Sequence, residues 1–201
     1  MTKALIVIDV QESFRQQPVW PLTANPDIVG KVNRLVDHAR AEGDLVVWVL
    51  HSDAGSGSLF DPARGYVHLI DGLSPDSGEP MITKTAHNAF TTTNLGQTLT
   101  ERGIRELIIS GIRTEQCCET TARVASDLGY DVTFAIDATS TNPIAHRDAP
   151  QGQTPDELMA DPRTLSAADV IARTEYALAG RFATIRTVDE ITGAPALEPV
   201  G

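Results

Sequence analysis

Little in this 201-residue chain can cross-link it, and no stretch of it has the length of a membrane span. Only two cysteines occur, Cys117 and Cys118, and they are neighbours. Adjacent cysteines cannot clip distant segments, and a disulfide between them would be strained, so no disulfide framework is implied. Nor do they have the paired spacing of a zinc site. No apolar run reaches the ~18–20 residues of a transmembrane helix. The apolar part of the opening segment Met1 to Asp9 is too short for a signal peptide, whose apolar region takes about 7–15 residues before a small-residue cleavage site. It reads as a strand, and a cytoplasmic protein that does not enter membranes is expected. Aromatic residues are 5% of the chain, so Val, Ile, Leu and Ala have to build the core. Basic residues are in deficit, and the net charge is −11. Such a chain repels phosphate backbones, which argues against a nucleic-acid partner.

What is present is a sequence that is 41% apolar, long enough for one domain with a sizeable core. Ala4 to Asp9 is a nearly unbroken apolar run, as a strand buried on both faces should be. A helix follows, with Asn25 as its cap, Pro26 in its first turn, Ile28, Val32, Leu35, Val36 and Ala39 on one face, and Gly43 as its stop. Leu45 to Leu50 is the second strand, and Ser52 to Pro80 reads as a glycine- and proline-rich loop of the kind that often carries a site. A helix near Leu95 to Arg102 ends at Gly103. Strand Glu106 to Ser110 leads into the turn Gly111-Ile112-Arg113-Thr114 and then a helix from about Cys117 to Leu128. A strand over Asp131 to Ile136, a polar stretch over Asn142 to Asp161, a helix over Ala167 to Leu178 capped by Ser166, and a strand over Phe182 to Arg186 complete the pattern. Alternating strands and helices predict an α/β fold, a three-layer α/β/α sandwich around a mainly parallel, Rossmann-like sheet, with residues 1–201 as a single domain.

In such sheets ligands bind beyond the carboxyl ends of the strands. Asp9 ends the first strand and Cys117 lies just past the strand over Glu106–Ser110, so two reactive residues far apart in sequence meet at one edge. Each also has an ordinary explanation: Asp9 as a cap on the next turn, Cys117 as a small buried hydrophobe. At the start of a helix, unpaired amides and the positive dipole end favour a thiolate at Cys117 and lower its pKa, and the same amides can hold an oxyanion. Nothing in composition singles out Lys84.

Three segments together resemble the isochorismatase-like cysteine hydrolases, a superfamily that includes nicotinamidases and N-carbamoylsarcosine amidase. The opening strand ends in Asp-x-Gln-x-x-Phe, here Asp9, Gln11 and Phe14. A second motif resembles Lys-x-x-x-x-Ala-Phe-x-x-Thr-x-Leu, here Lys84, Ala89, Phe90, Thr93 and Leu95. A third resembles Gly-Ile/Val-x-Thr-x-x-Cys-x-x-x-Thr-Ala, here Gly111, Ile112, Thr114, Cys117, Thr121 and Ala122. The resemblance implies a hydrolase of small amide-type C–N bonds with Asp9, Lys84 and Cys117 as its catalytic set and no cofactor. It implies a cis peptide between Ile112 and Arg113, an oxyanion hole from the backbone amides of Arg113 and Cys117, and a homo-oligomer, dimer or tetramer. It also puts the nucleophile at Cys117, three residues after Thr114, and leaves Cys118 as core or pocket wall.

Gln11, Phe14, Trp20 and Phe90 are candidate substrate-binding residues, the aromatic ones equally fit for the core. His87, between Lys84 and Phe90, is a further candidate for the pocket. Nicotinamidases carry an Asp-x-His metal element after the second strand. Here that stretch reads Asp53-Ala54-Gly55, with His51 on the other side, so no metal is expected. Two other functions stay open: vinyl-ether hydrolysis as in isochorismatases, against which Cys117 argues, and a non-catalytic binding protein on the same fold.

Overall fold

The computed structural model describes residues 3–193; residues 1–2 and 194–201 of the expected 1–201 domain lie outside the described residues. Six strands form one sheet: β1 Ala4–Ile8, β2 Leu45–His51, β3 Met81–Lys84, β4 Glu106–Ile112, β5 Asp131–Ser140 and β6 Thr184–Arg186. Their spatial order is β3-β2-β1-β4-β5-β6 and every pairing is parallel. Helices α1 Glu12–Arg15, α2 Ile28–Glu42, α3 Leu95–Glu101, α4 Glu119–Asp127, α5 Pro155–Ala160, α6 Ala167–Leu178 and α7 Val188–Thr192 lie between and after the strands. None of the described helices is long and apolar enough to cross a membrane.

The central strand explains the layering. All five residues of β1 are fully buried, because both faces are covered. Ala4, Ile6 and Ile8 pack with residues of α3, α4 and α6, while Leu5 and Val7 pack with α2 and α7. On α2 the buried stripe is Ile28, Val32, Leu35, Val36 and Ala39, and Gly43 closes the helix in the left-handed conformation (φ 72°).

Several element boundaries differ from the expected ones. Asn25 does not cap α2, which begins after Asp27; its side-chain amide donates instead to the carbonyl of Asp137 at 2.7 Å and ties this loop to β5. Lys84 ends a strand, β3, that the sequence pattern did not suggest, since only Ile82 and Lys84 of its four residues face inward. Gly111 and Ile112 belong to β4 rather than to the following turn. Two short helices, α5 and α7, stand in or after regions read as loop, each held by a capping box, Thr154 with Glu157 and Thr187 with Glu190.

Candidate active site

Asp9, Lys84 and Cys117 come together at the carboxyl edge of the sheet. Asp9 follows β1 and is the one non-glycine residue with positive φ (53°) among the described residues. Its amide donates to the Val49 carbonyl (2.8 Å) and its carbonyl accepts from Gln11 (2.8 Å), so neighbouring backbone imposes a conformation that aspartate tolerates better than most residues. Lys84 reaches the same place because β3 pairs with β2 in a register that sets it opposite His51. Cys117 lies in a π-helical turn, Thr114–Cys118, that precedes α4.

That turn revises the expected helix start at Cys117: regular helix begins only at Glu119. The Arg113 carbonyl accepts from the amides of Gln116 and Cys118 (both 3.2 Å) and passes over the amide of Cys117 between them. The amide of Arg113 makes no hydrogen bond among the described residues, and the Ile112–Arg113 peptide is cis. The motif threonines are anchors. Thr114 bonds Thr139 of β5 (2.9 Å), and Thr121 donates to the Cys117 carbonyl (2.6 Å) while accepting from the amide of Ala89 (3.1 Å). The lysine and cysteine segments are thereby tied to each other.

Gly111 sits directly beneath. Its φ is 131°, and a β-carbon there would lie 1.9 Å from the carbonyl oxygen of Ile8, its partner across the sheet. No rotamer relieves a clash with backbone, so a side chain would force β1 and β4 apart at the point where they support Asp9 and the cysteine turn. Gly111→Ala is expected to cost roughly 3 kcal/mol or more and to impair the site. Urea unfolding followed by circular dichroism checks this, and a wild-type midpoint would overturn it.

The charges are arranged tightly. Lys84 Nζ lies 2.8 Å from Asp9 Oδ2 and 3.3 Å from Cys117 Sγ, and both charged side chains are fully buried. The ammonium also donates to the Ala86 carbonyl (3.1 Å) and meets His51 Nδ1 at 3.3 Å. Burial holds the His51 imidazole mostly uncharged, with a pKa pushed down to about 4, so its Nδ1 can accept from the lysine. Burial also raises the Asp9 carboxyl to about 6, against the opposing pull of Lys84. The Cys117 thiol is pushed up to about 12 by burial first and by the Asp9 carboxylate next, which together outweigh Lys84. The expected lowering of the thiol pKa by the helix end is therefore corrected. At neutral pH the resting site holds a carboxylate, an ammonium and a protonated thiol. Apart from Lys84 and the Cys117 thiol, no donor reaches the Asp9 oxygens, so the carboxylate keeps capacity to take a proton. Of the three residues only Cys117 retains any exposure, 6%, so the sulfur is what a solute can reach.

The other sequence candidates separate. Gln11 is fully buried, with its amide group donating to Ser13 Oγ and the His51 carbonyl (both 3.0 Å) and accepting from the His51 amide (2.7 Å). It brackets the exits of β1 and β2 instead of facing a solute. Phe14 stands near the site, edge-on to Phe60 at 4.9 Å. Phe60 in turn meets the His51 ring at 5.6 Å. Trp20 packs on the α2 side of the core. Phe90 takes the core alternative: its ring lies against Tyr130, which precedes β5, and it packs on the cluster that also holds Cys117. His87 is exposed yet close enough to act on the charge of Asp9. Cys118 is fully buried in the core. Sequence reasoning passed over Phe60 and the Arg113 side chain, and weighed His51 only as a metal ligand. The available signal was that His51 ends β2 at the same edge as Asp9.

A polar trough of about 950 Å³ lies at the amino-terminal edge of the sheet, lined by Lys3, Asp44 and Arg181 among others, and contains none of these residues. Among the described residues no group of three or more His, Cys, Asp or Glu side chains is arranged to hold a metal ion. His51, the histidine nearest Asp53 in sequence, has its Nδ1 turned to Lys84.

Sequence comparison decides the family. The isochorismatase domain matches residues 3–156. The chain belongs to the isochorismatase family. An uncharacterized isochorismatase family protein of Bacillus subtilis is 31% identical over 138 residues, 69% of this chain and 73% of the relative. Nicotinamidase 3 of Arabidopsis thaliana is 32% identical over 152 residues, 69% of this chain and 73% of that protein. Among solved structures, an isochorismatase from Pseudomonas putida superposes with a TM-score of 0.79 at 31% identity, covering 94% of this chain and 89% of the other. This isochorismatase-family chain thus has the expected α/β sandwich, its sheet wholly parallel.

Proposed function

We propose that this chain is a cysteine hydrolase that cleaves an amide-type C–N bond of a small molecule through a thioester. The observation that carries the reading is the buried contact of Asp9, Lys84 and Cys117, with a carboxylate free to accept a proton beside a protonated thiol. The similarity to a nicotinamidase supports the choice of bond.

The chemistry follows from the resting charges. As Sγ of Cys117 attacks the carbonyl carbon, its proton passes to Asp9. Transfer coupled to attack avoids a free thiolate, which the buried site disfavours. The oxyanion of the tetrahedral adduct meets the amides of Arg113 and Cys117, which have no acceptor on the Arg113 carbonyl or elsewhere outside the turn. Lys84 balances the charge of Asp9 before transfer and the partial negative charge on the sulfur as its proton leaves. Asp9 then gives its proton to the leaving nitrogen, the C–N bond breaks, and a thioester remains. A water attacks the thioester and loses its proton to Asp9. Collapse expels the sulfur, which takes that proton back as the acid departs.

A screen of small amides, ureas and lactams for released ammonia or amine tests the reading. Turnover should be abolished in Asp9→Asn. Since the base is the ionised carboxyl and its pKa is raised to about 6, kcat/KM is expected to fall as the pH drops through about 6, rather than near 4 where an ordinary carboxylate titrates. Release that is indifferent to Asp9→Asn, or a flat profile between pH 5 and 7, would overturn it.

A further inference from the structure

The Arg113 side chain is out of keeping with the rest of this acidic chain. Three arginines among the described residues are partly buried: Arg40, Arg113 and Arg123. Arg40 pairs with Glu79 and Asp76, and Arg123 with Glu119. Arg113 has no carboxylate within ion-pair distance among the described residues, although the chain carries a net charge of −11. Its Nη2 donates to Gln17 Oε1 (2.6 Å), and the guanidinium lies over the Phe14 ring, 5.7 Å from its centroid. Its Nε and Nη1 have no partner among the described residues. Glu115, two residues on, does not serve, since both of its carboxylate oxygens are themselves without a donor. The guanidinium is half-buried, and partial burial pulls its pKa down, but Nε and Nη1 are not sealed from solvent and stay open to a ligand.

The position of this cation gives it a use. Contacts run from Lys84 Nζ to His51 (3.3 Å), from His51 to Phe60 (5.6 Å), from Phe60 to Phe14 (4.9 Å), and from Phe14 to the Arg113 guanidinium (5.7 Å). Lys84 touches Sγ of Cys117, and Arg113 is four residues ahead of Cys117 at the head of the same turn. The contacts therefore run as an arc of rings from beside the nucleophile to a guanidinium with spare donors, carried by the head of the turn that holds Cys117. A guanidinium of this kind matches the planar, two-oxygen geometry of a carboxylate.

We propose that the site takes amides that carry a carboxylate, seated against the Arg113 guanidinium within the His51–Phe60–Phe14 wall. The proposal rests on the hydrolase reading above and adds to it the substrate class.

Two alkylating reagents of nearly equal size test this without a known substrate. Iodoacetate and iodoacetamide both transfer a two-carbon unit to sulfur with loss of iodide, and they differ in carboxylate against carboxamide. The two rates are read at Cys117 by fragment-ion mass spectrometry. Their ratio, iodoacetate over iodoacetamide, is expected to exceed that of a free cysteine peptide by about tenfold. It should fall about tenfold in Arg113→Gln and be recovered only in part in Arg113→Lys, which keeps the charge without the planar fork. Whatever the substitution does to the thiol itself is common to both reagents and cancels in the ratio. A wild-type ratio at or below that of the free peptide, or a ratio unmoved by Arg113→Gln, overturns the proposal. The Asp9→Asn result decides the hydrolase reading and the ratio decides the anion seat, so the two can fail separately.

Discussion

Cys117→Ser is expected to lower turnover by about four orders of magnitude, the scale seen when the nucleophile of a coupled catalytic set is removed. Cys118→Ser should cost less than tenfold. The two thiols are adjacent in sequence but their surroundings differ. Cys117 Sγ accepts from Lys84 Nζ at 3.3 Å and retains slight exposure. Cys118 is sealed within the apolar core, and burial pushes its thiol well above the ordinary range. A serine at position 118 places a hydroxyl in that core, at a cost of about 1–3 kcal/mol if it finds no partner, so this variant should show its effect in thermal stability rather than in rate. A serine at position 117 keeps the shape but offers a far weaker nucleophile whose proton Asp9 can hardly take. Steady-state rates on any amide found by the screen, beside melting curves, separate the two effects. Equal losses of rate, or the greater loss at position 118, would show that the wrong cysteine has been assigned.

The meeting of Asp9 and Cys117 at one edge was legible from the strand-end rule, and three spaced motifs named Lys84 beside them. The stripe of α2 was legible for a simpler reason: five apolar residues at helical spacing have one way to be buried together. The failures have physical causes. Strand β3 has four residues, two of them exposed, and its pairing with β2 is a long-range fact that local pattern does not carry. The pattern Thr-x-x-Glu was present at Thr154 and Thr187 and could have announced α5 and α7, but the helices are one or two turns long and lack an apolar stripe. Phe90 was equally fit for pocket wall or core as an aromatic residue, and its ring packs against Tyr130 in the core. The thiol pKa was misjudged because a helix end is visible in sequence and desolvation is not. His51 was weighed only against a metal element, because a histidine ending an apolar strand has no marked identity until the register sets it against Lys84.

The last expected result concerns Lys84, whose importance nothing in composition suggested. Lys84→Met keeps length and apolar bulk and removes the charge that opposes burial at Asp9. Without the ammonium at 2.8 Å, the Asp9 carboxyl should titrate higher still, since loss of an opposite charge at this range is worth about one to three pKa units. The acid limb of kcat/KM should therefore move upward from about 6, and at neutral pH much of Asp9 would be protonated and unable to accept the thiol proton. The sign is fixed by the chemistry: the base form is needed, so a raised pKa removes activity from the acid side first. Removing one partner of a buried pair ordinarily costs about 3–5 kcal/mol. Here Asp9 can relieve part of that by taking up a proton, so the loss of stability should be smaller at pH 5 than at pH 8. Arg113→Met is the comparison. It removes a cation nearer to Cys117 in sequence and felt by that thiol, but the limb follows Asp9, whose titration is governed first by burial and then by Lys84, so the limb should move less. Circular dichroism confirms that both variants are folded, and the rate profile from pH 5 to 9 gives the answer. If Lys84→Met leaves the limb near 6 while Arg113→Met shifts it, the charge that governs Asp9 has been assigned to the wrong residue, and Lys84 is a structural partner only.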